Sequence, residues 1–307
     1  MKRVSVITVN YNQPSVTEEL LVSILSKNTY PELEIIVVDN GSAEDKTSHW
    51  RQQYPFVKFI RSEVNLGFAG GNNLGIRNAT GDYLFLVNND TEFTEKLVKT
   101  LVETLDTHPR VAVVSPKIRY FQQCDVIQYV GFTPMNMYTA QNASPGQFEK
   151  DTGQYDNLVQ PTGFAHGAAM MIRKEAINKV GLMAENFFLY YEEMDWCERF
   201  KRAGYEIWVN TNALIYHKES VSVGQKSALK EYFMNRNRIL FIRRNAPLPA
   251  RLTFYLHFGL LVTPRNILNY LKNRQYGFTN WLLKGIWWNV AHSKNSTNVG
   301  YPLKAIK

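Results

Sequence analysis

The 307 residues include only two cysteines, Cys124 and Cys197. Two thiols cannot build a disulfide framework, and nothing demands an oxidising compartment. No apolar run approaches the ~20 residues of a membrane span. The best, Leu252 to Val262, is eleven residues long, contains His257 and is soon followed by Pro264. Met1-Lys2-Arg3 opens basic, but the apolar run behind it stops at Asn10-Tyr11-Asn12, too short for a signal peptide. Internal repeats and low-complexity tracts are absent. With 45% hydrophobic and 20% charged residues the chain is globular, neither disordered nor collagen-like. Acidic residues are almost missing at the C-terminal end. Residues 225–307 hold 14 Lys/Arg against one acid, Glu231, a net of +13. Residues 1–224 hold 21 basic and 26 acidic residues, a net of −5, which leaves the chain at +8. A basic, aromatic-rich tail on an acidic body suits an anionic partner, either nucleic acid or an anionic membrane surface. No nucleic-acid motif accompanies the charge, so nucleic acid is disfavoured.

What is present alternates strands with amphipathic helices. Val4–Asn10, Leu33–Asp39, Phe56–Ile60, Tyr83–Val87 and Val111–Val114 read as buried-type strands. Ser15-Val-Thr-Glu18 reads as a capping box before Leu21, Ile24 and Leu25. Ser42 is placed to cap a short helix through Trp50, and Thr94 a helix bearing Leu97, Leu101 and Leu105. Ala168–Ile172 resumes strand character. Lys174–Val180 forms a helix closed by Gly181, Glu192–Ala203 another closed by Gly204, and Tyr205–Tyr216 a strand leading to His217. Residues 131–163, rich in Gly, Pro, Asn and Gln, read as a long irregular excursion on the acceptor side. The pattern predicts an α/β domain over residues 1–224 with a mostly parallel central sheet, followed by a basic helical extension over 225–307. Ligands of such sheets sit at the carboxyl ends of strands, which here read Asn10, Asp39 and Asp90.

Four constellations could carry chemistry. Asn65-Leu-Gly-Phe-Ala-Gly-Gly-Asn-Asn73 spaces its glycines at 67, 70 and 71, which is not G-x-G-x-x-G, and it follows the third strand rather than the first. It serves either close backbone approach to a ligand or a turn before a helix. Asn88-Asn89-Asp90 ends an apolar strand, where a carboxylate can bind a hard cation that holds a diphosphate; Asn and Asp also simply form turns there. Glu192, Glu193 and Asp195 crowd the first turn of a helix after Phe187-Phe-Leu-Tyr-Tyr191. Acids complement a helix dipole, yet three exceed what capping needs and suit a general base near a cation. His217, at a strand end before Lys218 and Ser220, is either structural or a metal ligand.

Together and in this order, these segments resemble the family-two inverting glycosyltransferases of GT-A fold, the rhamnosyltransferase-like branch especially. The matching text is VSVITVNYNQ at 4–13, VVDNGS at 37–42, NLGFAGGNN at 65–73, DYLFLVNNDTEF at 82–93, GAAMMIRKEA at 167–176 and FFLYYEEMDWCERFKRAGY at 187–205. The resemblance implies that Thr8, Asn10 and Asp39 hold the nucleotide base and ribose of a dTDP- or UDP-sugar. Asn65, Gly67 and Asn73 would approach ribose and diphosphate beside Asn88 and Asn89. Asp90 would be the acidic end of a D-x-D metal motif for Mg²⁺ or Mn²⁺, with His217 a late ligand. Glu193 would occupy the catalytic-base position, with Glu192 or Asp195 as alternates. Three positions depart from the family pattern: Asn88 replaces the first D of D-x-D, Glu193 the usual Asp, and Met183-Ala184-Glu185 the usual F-D-E. The implied activity is inverting sugar transfer to a glycan or lipid-linked acceptor in cell-surface polysaccharide synthesis; the expected location is the cytoplasm, where the basic tail suits attachment to the inner face of the cytoplasmic membrane. The alternative is a non-catalytic nucleotide-sugar-binding assembly protein.

Overall fold

The computed structural model describes residues 1–218 and 227–302. The expected domain boundary near 224 and Ser220 lie outside the described residues. The elements run β1 Val4–Asn10, α1 Pro14–Lys27, β2 Leu33–Asn40, α2 Thr47–Gln53, β3 Val57–Ser62, α3 Gly67–Arg77, β4 Tyr83–Val87, β5 Thr91–Glu92, α4 Leu97–Thr107 and β6 Val111–Tyr120. They continue with β7 Ile127–Tyr129, β8 Val159–Pro161, β9 Ala169–Arg173, α5 Lys174–Val180, α6 Glu192–Arg202 and β10 Glu206–His217. Helices then take over: α7 Ala228–Asn245, α8 Leu248–His257, α9 Thr263–Lys272 and α10 Tyr276–Ala291, with a π-helical stretch Phe258–Val262 joining α8 to α9.

The sheet order is β3-β2-β1-β4-β9-β6-β10-β5. The β3-β2-β1-β4 half is parallel, as the alternation predicts. The whole sheet is mixed, because β9 is antiparallel to both β4 and β6. The reason is topological: the excursion leaves from the carboxyl end of β6 and re-enters β9 from that same end. β10 runs parallel to β6, so His217 finishes at the same edge as β4.

Helix starts differ from the expected caps. α1 begins at Pro14 with no side-chain cap; proline suits the first helical position, where the N–H it lacks would have had no intrahelical partner. Glu18, expected to close a capping box, instead accepts from Trp50 Nε1 at 2.7 Å. Ser42 bonds Asp39 rather than capping α2, and Thr94 Oγ1 donates to the Leu214 carbonyl rather than capping α4. The apolar spacing of these helices holds: Leu21, Ile24, Leu97, Leu101 and Leu105 are buried, but Leu25 is exposed.

One apolar core lies between the sheet and helices α3, α5 and α6, and runs on into the C-terminal helices. Ile36 and Leu86 belong to the same cluster as Trp196, Phe187, Leu240, Phe241 and Phe254. α7 therefore packs as part of the body. Among the described residues no helix is long and apolar enough to cross a membrane.

Candidate functional site

A cavity of about 480 Å³ opens at the carboxyl ends of β1, β2 and β4. Asn65, Gly67, Asn88, Asn89, Asp90 and His217 line it, together with Val9, Tyr11, Asn40, Phe68, Asn72, Phe188, Leu189 and Tyr190. Ser227, Leu229 and Lys230 close one side. The glycine segment is the start of α3 rather than a loop. Gly67 has φ +72, and a Cβ there would stand 2.3 Å from the Phe188 carbonyl oxygen, so only glycine fits. Asn40 fixes this turn: its Nδ2 donates to Asn65 Oδ1 and the Gly67 carbonyl, both at 3.1 Å, and its Oδ1 accepts from Leu66 N–H at 2.9 Å.

Four residues expected at the donor lie outside that lining. Thr8 is buried, and its hydroxyl has no hydrogen-bond partner. Asn10 donates to Asp39 at 2.8 Å and accepts from Thr17 at 3.0 Å. Asp39 is ion-paired with Arg61. Asn73 clamps the chain before α6, donating to the Met183 carbonyl at 3.0 Å and to Glu185 at 2.9 Å.

At the far end, His217 Nε2 lies 3.1 Å from Asp90 Oδ1. β5 sets this distance by pairing Thr91 with His217, and Lys218 N–H donates to the Asp90 carbonyl at 2.8 Å. His217 Nδ1 faces Gln128 Oε1 at 2.8 Å. Asp90 Oδ1 is buried and has no hydrogen-bond partner despite that close approach. A carboxylate oxygen and an imidazole nitrogen brought together in this way fit a divalent cation. Asn88 Nδ2 stands 3.5 Å from the same nitrogen. Among the described residues no cluster of three or more His, Cys, Asp or Glu side chains forms, so Asp90 and His217 could supply only part of a coordination shell. Mg²⁺ sites of that kind are completed by water and substrate phosphate oxygens.

The acids of α6 separate sharply. Asp195 is fully buried and turned toward α7: Oδ1 accepts from Arg244 Nε at 2.8 Å and Asn245 Nδ2 at 3.0 Å, and Oδ2 from Arg199 Nε at 3.0 Å. Its lone pairs are spent on the helix packing. Glu192 and Glu193 each keep an enclosed Oε2 with no partner. Burial, and next the charge of Glu193, push the Glu192 carboxyl well above the usual carboxylate range. Burial raises Glu193 to about 7. Glu193 sits against Gly167, where an added Cβ would be 3.8 Å from its Oε1. The neighbouring Ala168 carbonyl accepts from Asn88 N–H at 2.9 Å. One short loop, 166–168, therefore borders both Glu193 and the Asn88–Asp90 turn. His166 in that loop is held neutral: burial, and then His217, push it down to about 3, and its Nδ1 accepts from Ala168 N–H at 3.1 Å.

The aromatic run before α6 is strained. Phe188, Tyr190 and Tyr191 have φ of +65, +71 and +74, a region bulky side chains avoid. Asn237 of α7 holds it. Its buried Nδ2 is 2.9, 2.7 and 2.9 Å from the carbonyl oxygens of Phe187, Leu189 and Tyr190. Sequence reasoning did not single out Asn40, His166, Asn237 or Lys230. No spacing rule ties an asparagine 47 residues downstream to the turn before α6.

This half-parallel sheet, with its cavity at the strand ends and acids at the start of α6, defines a glycosyltransferase of GT-A fold. The model of the family described as glycosyl transferase family 2 matches residues 5–181, more than half of the chain, and the chain belongs to that family. It is similar to the low-salt glycan biosynthesis hexosyltransferase Agl10 of Haloferax volcanii, 29% identical over 77% of this chain and 74% of that protein. It is also similar to the N-acetylglucosaminyl-diphospho-decaprenol L-rhamnosyltransferase of Mycobacterium tuberculosis, 22% identical over 69% and 75%. Among solved structures, a mannosyltransferase of Pyrobaculum calidifontis in complex with GDP-Man and Mn²⁺ superposes with a TM-score of 0.58 at 18% identity, covering 94% of this chain and 87% of that one.

Proposed function

We propose that this chain transfers a sugar from a nucleotide diphosphate to an acceptor hydroxyl with inversion, and that Glu193 is the base. The observation that carries the reading is the Glu193 carboxyl: enclosed, with its Oε2 unpartnered, and raised to about 7, beside the loop that also touches the Asn88–Asp90 turn. A base poised near the working pH is what proton abstraction from a sugar hydroxyl needs. Glu193 takes the hydroxyl proton as the oxygen attacks the anomeric carbon. The bond to the diphosphate breaks on the opposite face, and nucleoside diphosphate leaves. Asn65, Asn88, Asn89 and the α3 backbone line the space for the donor, and Asn10 and Asp39 shape its base end from behind. A divalent cation bound by Asp90 and His217 would offset the charge that builds on the departing diphosphate.

The relatives named above support glycan synthesis, and the rhamnosyltransferase among them a lipid-linked acceptor; the donor proposed is a dTDP-sugar such as dTDP-rhamnose, or a UDP-sugar. The C-terminal helices support attachment to an anionic membrane surface. Leu252, Leu256 and Leu260 recur every fourth residue on an exposed stripe continued by Leu268. Arg265, Lys272, Arg274 and Lys284 are exposed around it. Not all of the tail charge and aromaticity is available for this. Arg236 is fully buried under Trp288, Arg244 is paired with Asp195, and of Trp281, Trp287 and Trp288 only Trp287 is strongly exposed. The test is turnover of a panel of dTDP- and UDP-sugars with NMR of the product anomer. A retained configuration, or donor binding without any transfer, would overturn the reading.

A further inference from the structure

A second, open cavity of about 270 Å³ lies between α7 and the α9–α10 pair. It shares Ser227 and Lys230 with the wall of the first cavity, so the two are adjacent along α7. Lys230 and Arg238, two turns apart, present cations to it. The Lys230 ammonium has no hydrogen bond or ion pair among the described residues, and Arg238 makes one bond, from Nε to the Tyr191 hydroxyl at 3.1 Å. The one acid in the groove, Glu231, is already engaged by Asn235 Nδ2 at 2.6 Å and by the Tyr270 hydroxyl. Both bonds fall on Oε1, and its single charge against two cations leaves the groove net positive. Asn266 adds an amide from the α9 side. Unspent cations backed by amide groups in an open groove form an anion site, and arginine is suited to phosphate in particular.

We propose that this groove binds the diphosphate of a polyisoprenyl-diphosphate-linked acceptor. The inference rests on the transferase reading and deepens it. Tyr191, which Arg238 holds, immediately precedes Glu192 and Glu193, so an anion on Arg238 lies beside the turn that carries the base. On the other side, α9 and α10 carry exposed Leu268, Leu271 and Leu283 on their outer surfaces. Apolar surface, cationic groove and carboxylate site follow one another in the order of the acceptor's own parts: hydrocarbon chain, diphosphate, sugar hydroxyl.

Isothermal titration of the full chain with farnesyl diphosphate tests this. EDTA is included so that no cation at Asp90 recruits the anion. Binding should be competed by inorganic pyrophosphate and weakened at least tenfold in the Lys230→Gln/Arg238→Gln double variant. Arg238→Lys should retain most of it. Asn266→Glu, which adds an acid from α9 without touching the α7 core, should weaken it as well. No binding by the wild type, or equal affinity in the folded variants, overturns the proposal. Phosphatidylglycerol vesicles form a second arm. If the double variant loses vesicle binding but keeps its affinity for farnesyl diphosphate, the groove takes bilayer headgroups, and the acceptor assignment is overturned. UDP binding with Mn²⁺ is followed separately by thermal shift: its absence in the wild type would sink the donor reading and leave the groove result standing.

Discussion

The Nε2 of His217 stands 3.1 Å from the Oδ1 of Asp90 while Nδ1 of the same ring is committed to Gln128. Removing either side of that pair should show in cation dependence. Asp90→Asn removes the charge that attracts the cation and should lower activity at least a hundredfold. EDTA should abolish turnover of the wild type, and Mn²⁺ or Mg²⁺ should restore it. His217→Ala should raise the cation concentration needed for half activity while leaving saturated kcat within about tenfold. Full turnover in excess EDTA would exclude the cation.

Glu193 should govern the pH profile. As a base it acts only when ionised, so kcat/KM should rise with pH through about 7. Glu193→Gln should lose ~10²–10⁴ in kcat with donor affinity little changed. Stability carries an independent sign. A carboxyl raised in the folded state binds its proton more tightly there than in the unfolded chain. Its burial cost is therefore absent below the ordinary carboxylate range and grows as pH climbs toward about 7. Glu193→Gln should accordingly raise Tm at pH 8 and leave it unchanged near pH 4. Asp195→Asn is the contrast: it breaks a buried ion-pair cluster, should cost about 3–5 kcal/mol, and should leave the pH profile of the folded enzyme in place.

Asn237 should be far more costly to lose than an ordinary polar residue. Leu189 and Tyr190 offer carbonyl oxygens that no other described donor reaches, within a stretch already held at unfavourable φ. Asn237→Ala strands them, at about 1–3 kcal/mol for each buried unsatisfied group. Urea unfolding should show a drop of several kcal/mol. Because α6 starts at the next turn, kcat of the surviving folded fraction should fall more than the donor KM rises.

The parallel half of the sheet was legible because buried β-branched runs such as Leu33–Val38 end in Asp39-Asn40-Gly41, and the period-two and helical signals do not compete there. α5 was legible to the residue, since Lys174–Val180 has a clear amphipathic turn and Gly181 at φ +86. The helix caps were not, because Glu18 met a long-range partner, Trp50, and Ser42 turned back to Asp39, three residues before it, instead of forward to α2. Strand ends and acid crowding pointed to Asp90, His217 and the group Glu192, Glu193 and Asp195, and the family resemblance put Glu193 first among those acids. The separation of Glu193 from Asp195 could not be read from the sequence, because it depends on Arg244 and Asn245, about 50 residues away on α7. Nor could the burial of Arg236, whose place beneath Trp288 is decided by how α10 lies on α7.

The last prediction concerns the leucine stripe. A monomeric chain rarely exposes a contiguous apolar face of this kind unless something covers it. Leu256 and Leu260 point out of α8 and the π-helical stretch, with exposures of 64% and 70%. Replacing them disturbs no core contact, whereas deleting the tail would remove Leu240, Phe241 and Phe254 from the common core and unfold the body. Leu256→Asp/Leu260→Asp is therefore the right probe. Each exposed basic residue near an anionic leaflet contributes about 1 kcal/mol, and each buried apolar side chain adds about 1.5–3 kcal/mol. The wild type should pellet with phosphatidylglycerol vesicles at low salt and less so at high salt, where the charge attraction is screened. The double variant should stay in the supernatant in both, with Tm unchanged or slightly raised. Lys284→Glu should weaken pelleting at low salt and matter little at high salt. If the wild type leaves anionic and neutral vesicles alone at every salt concentration, the stripe does not meet a membrane. Concentration-dependent sedimentation of the free protein would then show whether it meets a second copy of the chain.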